Sequence, residues 1–179
     1  RRRAGELSRS YFSSFEFRLQ AAMSELIQLD PNFMVGGKWR IEKKLGEGAF
    51  GAVYKCGDGE DNLYALKVEG KEEKVQLLKM EVHVLTELAN AGGRHFCKIY
   101  GKGTMLNFNY VVMTFVGISL DNLKAMAPKK KFSFGTAVSI GCQCLEALED
   151  LHGIGYLHRD VKPANFTIGR AAVNELRKV

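Results

Sequence analysis

The feature that most constrains the fold of this sequence is the glycine run Gly46-Glu47-Gly48-Ala49-Phe50-Gly51. Glycines at this spacing occur in turns that lead from a strand into a helix and in loops that connect two strands. Residues 52–56 follow directly and include β-branched and aromatic side chains, which favour a strand. Residues 39–45 alternate between apolar and polar, with one slip at Lys43-Lys44. The pattern therefore predicts a strand–loop–strand hairpin and argues against a strand-to-helix turn.

A short apolar strand that ends on a lysine comes next. Residues 57–62 are rich in turn formers, and Tyr64-Ala65-Leu66-Lys67 is close to the strand that brings a lysine to the α- and β-phosphates of ATP. From residue 71 to about 89, apolar side chains recur near helical spacing. They are Val75, Leu78, Val82, Leu85 and Leu88. Glu81 lies at the edge of this face, so we expect it to pair with Lys67; the alternative is a surface acid, as expected for Glu87.

The segment His158-Arg159-Asp160-Val161-Lys162-Pro163-Ala164-Asn165 places an acid, a cation and an amide along one loop. An acid can accept a hydroxyl proton, a cation can stabilise a transferring phosphate, and an amide oxygen can ligate Mg²⁺. We therefore predict Asp160, Lys162 and Asn165 as catalytic residues of phosphoryl transfer, with Asn165 as the metal ligand. A polar turn after a helix is the alternative, but three motifs in this order argue against it.

These motifs resemble those of the protein kinases, and three stretches resemble the casein kinase 1 superfamily, most of all its tau-tubulin kinase group. The stretches are Lys79-Met80-Glu81-Val82-His83-Val84-Leu85, Phe108-Asn109-Tyr110-Val111-Val112-Met113 and residues 157–170. The resemblance implies an α+β fold of two lobes. Residues 38–116 are then a small lobe with an antiparallel sheet and one helix, and residues 117–179 begin a large helical lobe that is truncated. Residues 1–37 become an N-terminal extension that we predict to be flexible.

The same resemblance implies a nucleotide site. Its expected residues are Gly46, Gly48 and Gly51 over the phosphates, Lys67 with Glu81, and Leu45, Val53, Ala65, Met113, Thr114 and Val116 around adenine. Met113 is expected at the gatekeeper position. The Thr114 carbonyl and the Val116 amide are expected to bond the adenine edge, because a purine edge needs one acceptor and one donor. Val53 and Ala65 have the alternative interpretation of ordinary sheet core.

Two helices are predicted further along the chain. One covers residues 120–126, and Ser133 is expected to cap another from residue 134 to about 152. Ser119 or Asp121 is expected to reach the ribose; the alternative for Asp121 is a helix N-terminal acid. The four cysteines match no zinc spacing, and no stretch approaches about 20 apolar residues. Reduced cysteines favour a cytosolic or nuclear protein, and the lack of a long apolar stretch predicts no membrane partner.

Composition and charge narrow the functional class. The chain is 46% hydrophobic and 26% charged, as globular proteins are. Half of the net charge of +6 comes from residues 1–22, which hold five arginines and two glutamates. The remaining +3 gives no case for nucleic-acid binding. For residues 1–22 three interpretations stay open: a flexible extension, translated sequence upstream of a start at Met23, or an organelle presequence, against which Glu6 and Glu16 argue.

One kinase motif is missing from the sequence. No Asp-Phe-Gly, the triplet whose aspartate holds Mg²⁺ in kinases, occurs in the chain. In the group that the chain resembles, this triplet follows a longer loop, so we expect it just beyond Val179 and expect the chain to be a fragment. Large apolar side chains of the helix at residues 134–152 would then lack cover. We expect residues 1–179 alone to bind nucleotide weakly and to transfer no phosphate.

Together, the residues and the resemblance predict an ATP- and Mg²⁺-dependent serine/threonine protein kinase, expected to be monomeric. Asp160 is the expected proton acceptor, Lys162 stabilises the phosphate, and His158 and Arg159 scaffold the loop. Cytosolic proteins, among them cytoskeletal ones, with acidic or primed sites are the expected substrates. The alternatives are a catalytically inactive pseudokinase that binds nucleotide or partner proteins and, disfavoured by the strand after Gly51, a dinucleotide-dependent oxidoreductase.

Overall fold

A computed structural model describes residues 27–48, 51–72 and 76–170. Its strands are β1 (Met34–Val35), β2 (Trp39–Gly48), β3 (Gly51–Gly57), β4 (Leu63–Gly70), β5 (Ile99–Thr104) and β6 (Phe108–Thr114). Its α-helices are α1 (Leu77–Asn90), α2 (Leu120–Met126) and α3 (Phe134–Gly153), and short 3₁₀ turns cover Pro128–Lys130 and Pro163–Asn165. The strands form one sheet in the order β1-β2-β3-β4-β6-β5, in which β1 to β4 pair antiparallel.

The chain divides into two compact units. The first extends to Lys79 and also contains Gly101–Val112, whereas the second contains Met80–Tyr100 and the chain from Met113 onward. The chain therefore passes between the units three times, which differs from the single predicted boundary between residues 116 and 117.

The glycine run lies in a hairpin, as predicted. Strands β2 and β3 pair antiparallel down to Gly48 and Gly51, where β3 starts. Ala49 and Phe50 lie outside the described residues. The register of this pair shifts between Ile41 and Lys43 and again between Lys44 and Gly46, on either side of the slip in the alternation.

Gly51 gives a first testable prediction. Its φ is +147°, and a Cβ built there would lie 1.9 Å from the carbonyl oxygen of Val68 on the neighbouring strand. The clashing atom belongs to the backbone, which cannot move aside as the end of a flexible side chain can. Gly51→Ala is therefore expected to lower the free energy of unfolding by at least about 2 kcal/mol. Gly48→Ala is the matched control, since nothing lies within 4 Å of its Cβ position. Urea unfolding of both variants checks this, and equal midpoints would contradict it.

The core of the first unit covers one face of the sheet. It is formed by Ile27, Val35, Trp39, Ile41, Ala52, Tyr54, Cys56, Leu66, Val68, Phe108 and Val112. The Tyr54 hydroxyl donates to the Ile27 carbonyl at 3.0 Å and accepts from the Leu29 amide at 3.3 Å. Because Ile27 and Val35 are buried, residues 27–37 belong to the sheet unit, and the predicted flexible extension is wrong for them. Residues 1–26 lie outside the described residues.

The helices lie at the predicted positions, except that the first of them begins later in the chain than predicted. Helix α1 begins at Leu77, whereas the apolar spacing predicted a start at residue 71. The Lys71 amide donates to the Asn107 carbonyl and its Nζ to the Leu106 carbonyl, both at 3.0 Å, which holds Lys71 in a turn. Residues 73–75 lie outside the described residues. None of the helices within 27–48, 51–72 and 76–170 is long and apolar enough to cross a membrane.

Helices α2 and α3 have the predicted extents to within one residue. Ser133 caps α3, because its Oγ accepts a hydrogen bond from the Thr136 amide at 3.2 Å. Part of the apolar side of α3 is exposed to solvent, with Phe134 86% and Leu145 68% exposed. Cys56, Cys97, Cys142 and Cys144 are free of disulfides in the structure.

Arg94 joins the segment before β5 to helix α3 in the second unit. Its backbone amide and Nε donate to Asp150 at 2.9 and 3.1 Å, and its Nη2 lies 3.0 Å from Glu149. The neighbouring His95 contacts Glu146 at 2.7 Å. The Arg94 hydrogen bond lowers the pKa of Asp150 to about 2. Since a lowered carboxyl pKa favours the folded state until the pH falls through that value, this contact persists at all physiological pH values.

Candidate active site

Three of the predicted nucleotide residues share one face of the sheet in the first unit. In the β3–β4 register Val53 lies opposite Lys67, and Lys55 lies opposite Ala65. Directly paired residues point to the same side of a sheet, so Val53, Ala65 and Lys67 lie on one face. Their neighbours Leu66 and Val68 point to the core on the other face. Val53 and Lys67 are therefore not part of the main core.

The glycine loop supplies open backbone beside these residues. Gly46 pairs with Val53, and Leu45, at the bulge before it, is 42% exposed. No atom lies within 4 Å of a Cβ built at Gly46 or at Gly48. This leaves room for a phosphate to approach their backbone. Gly51 has a different role, because a side chain at this position would clash with the Val68 carbonyl oxygen.

The second unit brings together Asp160, Lys162 and Asn165. The Asn165 Nδ2 donates to the Asp160 carbonyl oxygen at 2.8 Å and to its carboxylate Oδ2 at 2.9 Å. The Lys162 Nζ lies 2.7 Å from the same Oδ2. The Lys162 and Asn165 side chains are thus both held at the Asp160 carboxylate, which is 61% exposed.

The local backbone explains how the loop holds this shape. Arg159 has a φ of +64°, which turns the chain so that the Asp160 amide donates to His158 Nδ1 at 3.3 Å. The His158 ring stacks on Phe166, with centroids 6.0 Å apart and planes 12° apart. Pro163–Asn165 forms a 3₁₀ turn that returns Asn165 to Asp160. His158 and Arg159 therefore lie where a scaffold of the loop is needed.

The charge state of Asp160 follows from these contacts. The hydrogen bond from Lys162, and after it that from Asn165, lowers the pKa of the Asp160 carboxyl below its ordinary value of 3.8. A carboxyl with a lowered pKa is ionised at every pH above that value, so Asp160 is a carboxylate at neutral pH. Such a weak base suits orientation of a hydroxyl and late acceptance of its proton more than its early removal.

The predicted adenine-binding stretch follows β6 and pairs with the chain after the catalytic loop. The Gly117 amide donates to the Ile168 carbonyl at 2.8 Å, and the Ile168 amide donates to the Ile118 carbonyl at 3.0 Å. A Cβ at Gly117 would lie 2.8 Å from the Ile168 carbonyl oxygen, so only glycine fits this pairing. Val116 directly precedes Gly117, whose backbone is held by its hydrogen bond to Ile168.

Other residues of this stretch already have structural contacts. The Thr114 amide donates to the carbonyl of Lys98, the residue before β5, at 3.0 Å. The amide is thereby used, and the predicted adenine contact is left to the Thr114 carbonyl. The Ser119 Oγ accepts from the Asn122 amide at 3.3 Å and caps α2. Ser119, which the sequence predicts as a candidate ribose contact, therefore has a structural role as the cap of α2. Asp121 is exposed in the first turn of α2.

A cavity of about 210 Å³ in the second unit collects further predicted residues. Glu81, Met113 and Asn165 line it, together with Cys97 and Thr167, which were not predicted. Thr167 could have been found as the residue two positions after Asn165, whereas no sequence signal marks Cys97. Burial and the Glu81 carboxylate raise the pKa of Cys97, which keeps it a thiol. The cavity is smaller than most ligand sites, which measure roughly 300–1,000 Å³.

The residues of the loop at 158–165 fit Mg²⁺ and a phosphate group of ATP. Magnesium takes oxygen ligands, and the Asn165 Nδ2 is used by Asp160, so its side-chain oxygen is the end left to face an ion. Lys162 has further N–H groups beyond the one directed at Asp160, and these can contact a phosphate. Among residues 27–48, 51–72 and 76–170 no group of three or more His, Cys, Asp or Glu side chains is arranged to hold a metal.

Comparison with known proteins defines the class. The model of the protein kinase domain matches residues 39–176, which is most of the chain and includes all the predicted site residues. This chain belongs to the protein kinase family.

Its relatives are named as serine/threonine kinases. A probable serine/threonine-protein kinase of Dictyostelium discoideum is 38% identical over 76% of this chain and 27% of its own length. The serine/threonine-protein kinase spe-6 of Caenorhabditis elegans is 40% identical over 74% of this chain and 35% of its own. A candidate casein kinase I of the same worm is 32% identical over 83% and 44%. The chain thus spans less than half the length of these relatives.

The fold has a counterpart among solved structures. A structure of vaccinia related kinase 3 superposes with a TM-score of 0.64 over 86% of this chain and 52% of its own, at 19% identity. At that identity the likeness concerns the fold, which is the protein kinase fold predicted from the sequence.

Proposed function

We propose that this chain is part of an ATP-dependent protein serine/threonine kinase of the casein kinase 1 type, with most likeness to the tau-tubulin kinases. One observation carries the proposal: Lys162 and Asn165 both contact the carboxylate of Asp160, at 2.7 and 2.9 Å. Phosphoryl transfer asks a protein mainly for positioned charges, and this loop supplies a carboxylate that a lysine cation and a side-chain amide both contact.

Each side chain has one role in the proposed reaction. Asp160 orients the serine or threonine hydroxyl of the substrate and accepts its proton, while the hydroxyl oxygen bonds to the γ-phosphorus and the bond to ADP breaks. Lys162 balances charge on the transferring phosphoryl group. Asn165 would hold Mg²⁺, which neutralises phosphate charge when bound. In the first unit Lys67 binds the α- and β-phosphates, and the backbone at Gly46 and Gly48 covers them.

Support for the casein kinase 1 type comes from a relative and from the loop itself. The worm protein named as a candidate casein kinase I shares 32% of its matched residues with this chain. Lys162, two residues after Asp160, is typical of serine/threonine kinases. We propose cytosolic or nuclear proteins with acidic or already phosphorylated sites as substrates, and a monomeric kinase.

Peptide phosphorylation tests the proposal on the protein in its natural length. Three peptides of identical sequence carry phosphoserine, glutamate or lysine shortly before one acceptor serine. We expect transfer to the first two to exceed transfer to the lysine peptide by about tenfold, because charge complementarity favours the acidic forms. Preference for the lysine peptide, or label on tyrosine in a matched peptide, would refute the substrate class. Binding of Mg·ATP without any transfer would favour the pseudokinase alternative.

A further inference from the structure

Glu69 is a buried acid that the catalytic scheme has not used. It lies in β4 and is 2% exposed, and it is the one charged residue in the described part of the chain that is buried to this extent. An ionised carboxylate loses its hydration on burial, so a buried acid is unfavourable unless specific contacts compensate. An apolar side chain would fill the same space without that cost.

The carboxylate of Glu69 contacts the start of helix α1. Its Oε1 accepts a hydrogen bond from the Leu78 backbone amide at 3.0 Å. Leu78 is the second residue of α1, and the first amides of a helix have no partner within the helix. The helix carries no acid in its own first turn. Glu69 therefore supplies, from a neighbouring strand, the negative group that a helix start favours.

Both elements joined by this hydrogen bond carry predicted nucleotide-binding residues. Lys67 precedes Glu69 by two positions in β4, so both side chains lie on the same face of the strand. Glu81 follows Leu78 by three positions in α1, on the adjacent turn of the same side. One hydrogen bond thus ties the strand that carries Lys67 to the first turn of α1.

We propose that Glu69 is a positioning residue for phosphoryl transfer, which fixes the start of α1 on β4, the strand that carries Lys67. The inference rests on the proposed kinase function. A directional hydrogen bond specifies one position of the helix along the strand, whereas apolar packing alone lets the two elements slide relative to each other.

The test compares Glu69→Gln, Glu69→Leu and the exposed control Glu60→Gln in the protein at its natural length. In Glu69→Leu we expect kcat/KM for ATP to fall about tenfold or more, with a melting temperature that is equal or higher, because an apolar group replaces a buried charge. Glu69→Gln keeps an acceptor oxygen, so it is expected to retain kcat/KM within about threefold of wild type. Amide exchange at Leu78 is expected to accelerate at least about tenfold in the leucine variant only.

The outcomes separate the two proposals. A wild type that transfers no phosphate refutes the kinase function. An active wild type with a Glu69→Leu variant whose kcat/KM stays within twofold refutes the positioning role alone. A purely structural role predicts the opposite pattern, in which the melting temperature falls and kcat/KM of the remaining folded protein is unchanged. Equal losses of kcat/KM in Glu69→Gln and Glu69→Leu also refute the positioning role, because the acceptor oxygen would then make no difference.

Discussion

Replacing Asp160 by asparagine is expected to reduce kcat about 10²–10⁴-fold, the usual contribution of a positioned proton acceptor. Affinity for Mg·ATP is expected to stay within about threefold, because Asp160 acts on the substrate hydroxyl. Asparagine is the informative replacement, since its side-chain oxygen can still accept from Lys162 and Asn165 and so keep the loop shape. Steady-state kinetics with a serine peptide, together with calorimetry of Mg·ATP binding, measure the two quantities.

The matched control is Asp61→Asn, a change of the same chemistry at an exposed position of the β3–β4 turn. It is expected to leave kcat and nucleotide affinity unchanged. If Asp160→Asn lost nucleotide binding and activity together, the carboxylate would be required for the fold of the loop and its assigned role would be wrong. If it retained wild-type kcat, no proton acceptor would lie at this position.

Replacing Lys67 by methionine is expected to reduce kcat/KM for ATP by about 10²–10³-fold, because one cation that stabilises charge in the transition state is lost. The stem length is preserved, and Lys67 lies on the sheet face that is opposite Leu66 and Val68, so the core packing is expected to remain. Phosphate transfer at several ATP concentrations gives the ratio, and thermal melting verifies that the fold is intact.

Glu81→Gln tests whether the effect of Lys67 depends on a paired acid. If Glu81 holds Lys67, kcat/KM for ATP of the double variant Lys67→Met, Glu81→Gln is expected to be no lower than that of Lys67→Met alone, since both changes remove the same interaction. Glu87→Gln, an exposed acid further along α1, is the control and is expected to behave as wild type. Fully additive losses in kcat/KM would show that the two residues act independently.

Local sequence patterns predicted the elements whose shape is set by near neighbours. The hairpin around the glycine run followed from alternation on both sides, and even the slip at Lys43-Lys44 corresponds to the register shifts on either side of it. The start of α1 was wrong because Lys71 is held by the carbonyls of Leu106 and Asn107, which are distant in sequence. The burial of Ile27 and Val35 also depends on distant residues.

The residues of the candidate site also fall into those that local sequence could predict and those that depend on tertiary packing. Asp160, Lys162 and Asn165 lie within six residues of one another, so their spacing alone could indicate their contact. Glu69 has the appearance of an ordinary acid at a strand end, and only the burial of that strand face and the position of α1 give it a partner. Side chains whose role comes from tertiary packing leave little signal in a single sequence.

Transfer of labelled γ-phosphate from ATP by the protein at its natural length tests the central claim most directly, with wild type and Asp160→Asn measured side by side. The prediction is Mg²⁺-dependent label on serine or threonine for the wild type and at least about 100-fold less for the variant. Equal label from both proteins would contradict the role of Asp160, and no label from a wild type that binds Mg·ATP would contradict kinase activity itself.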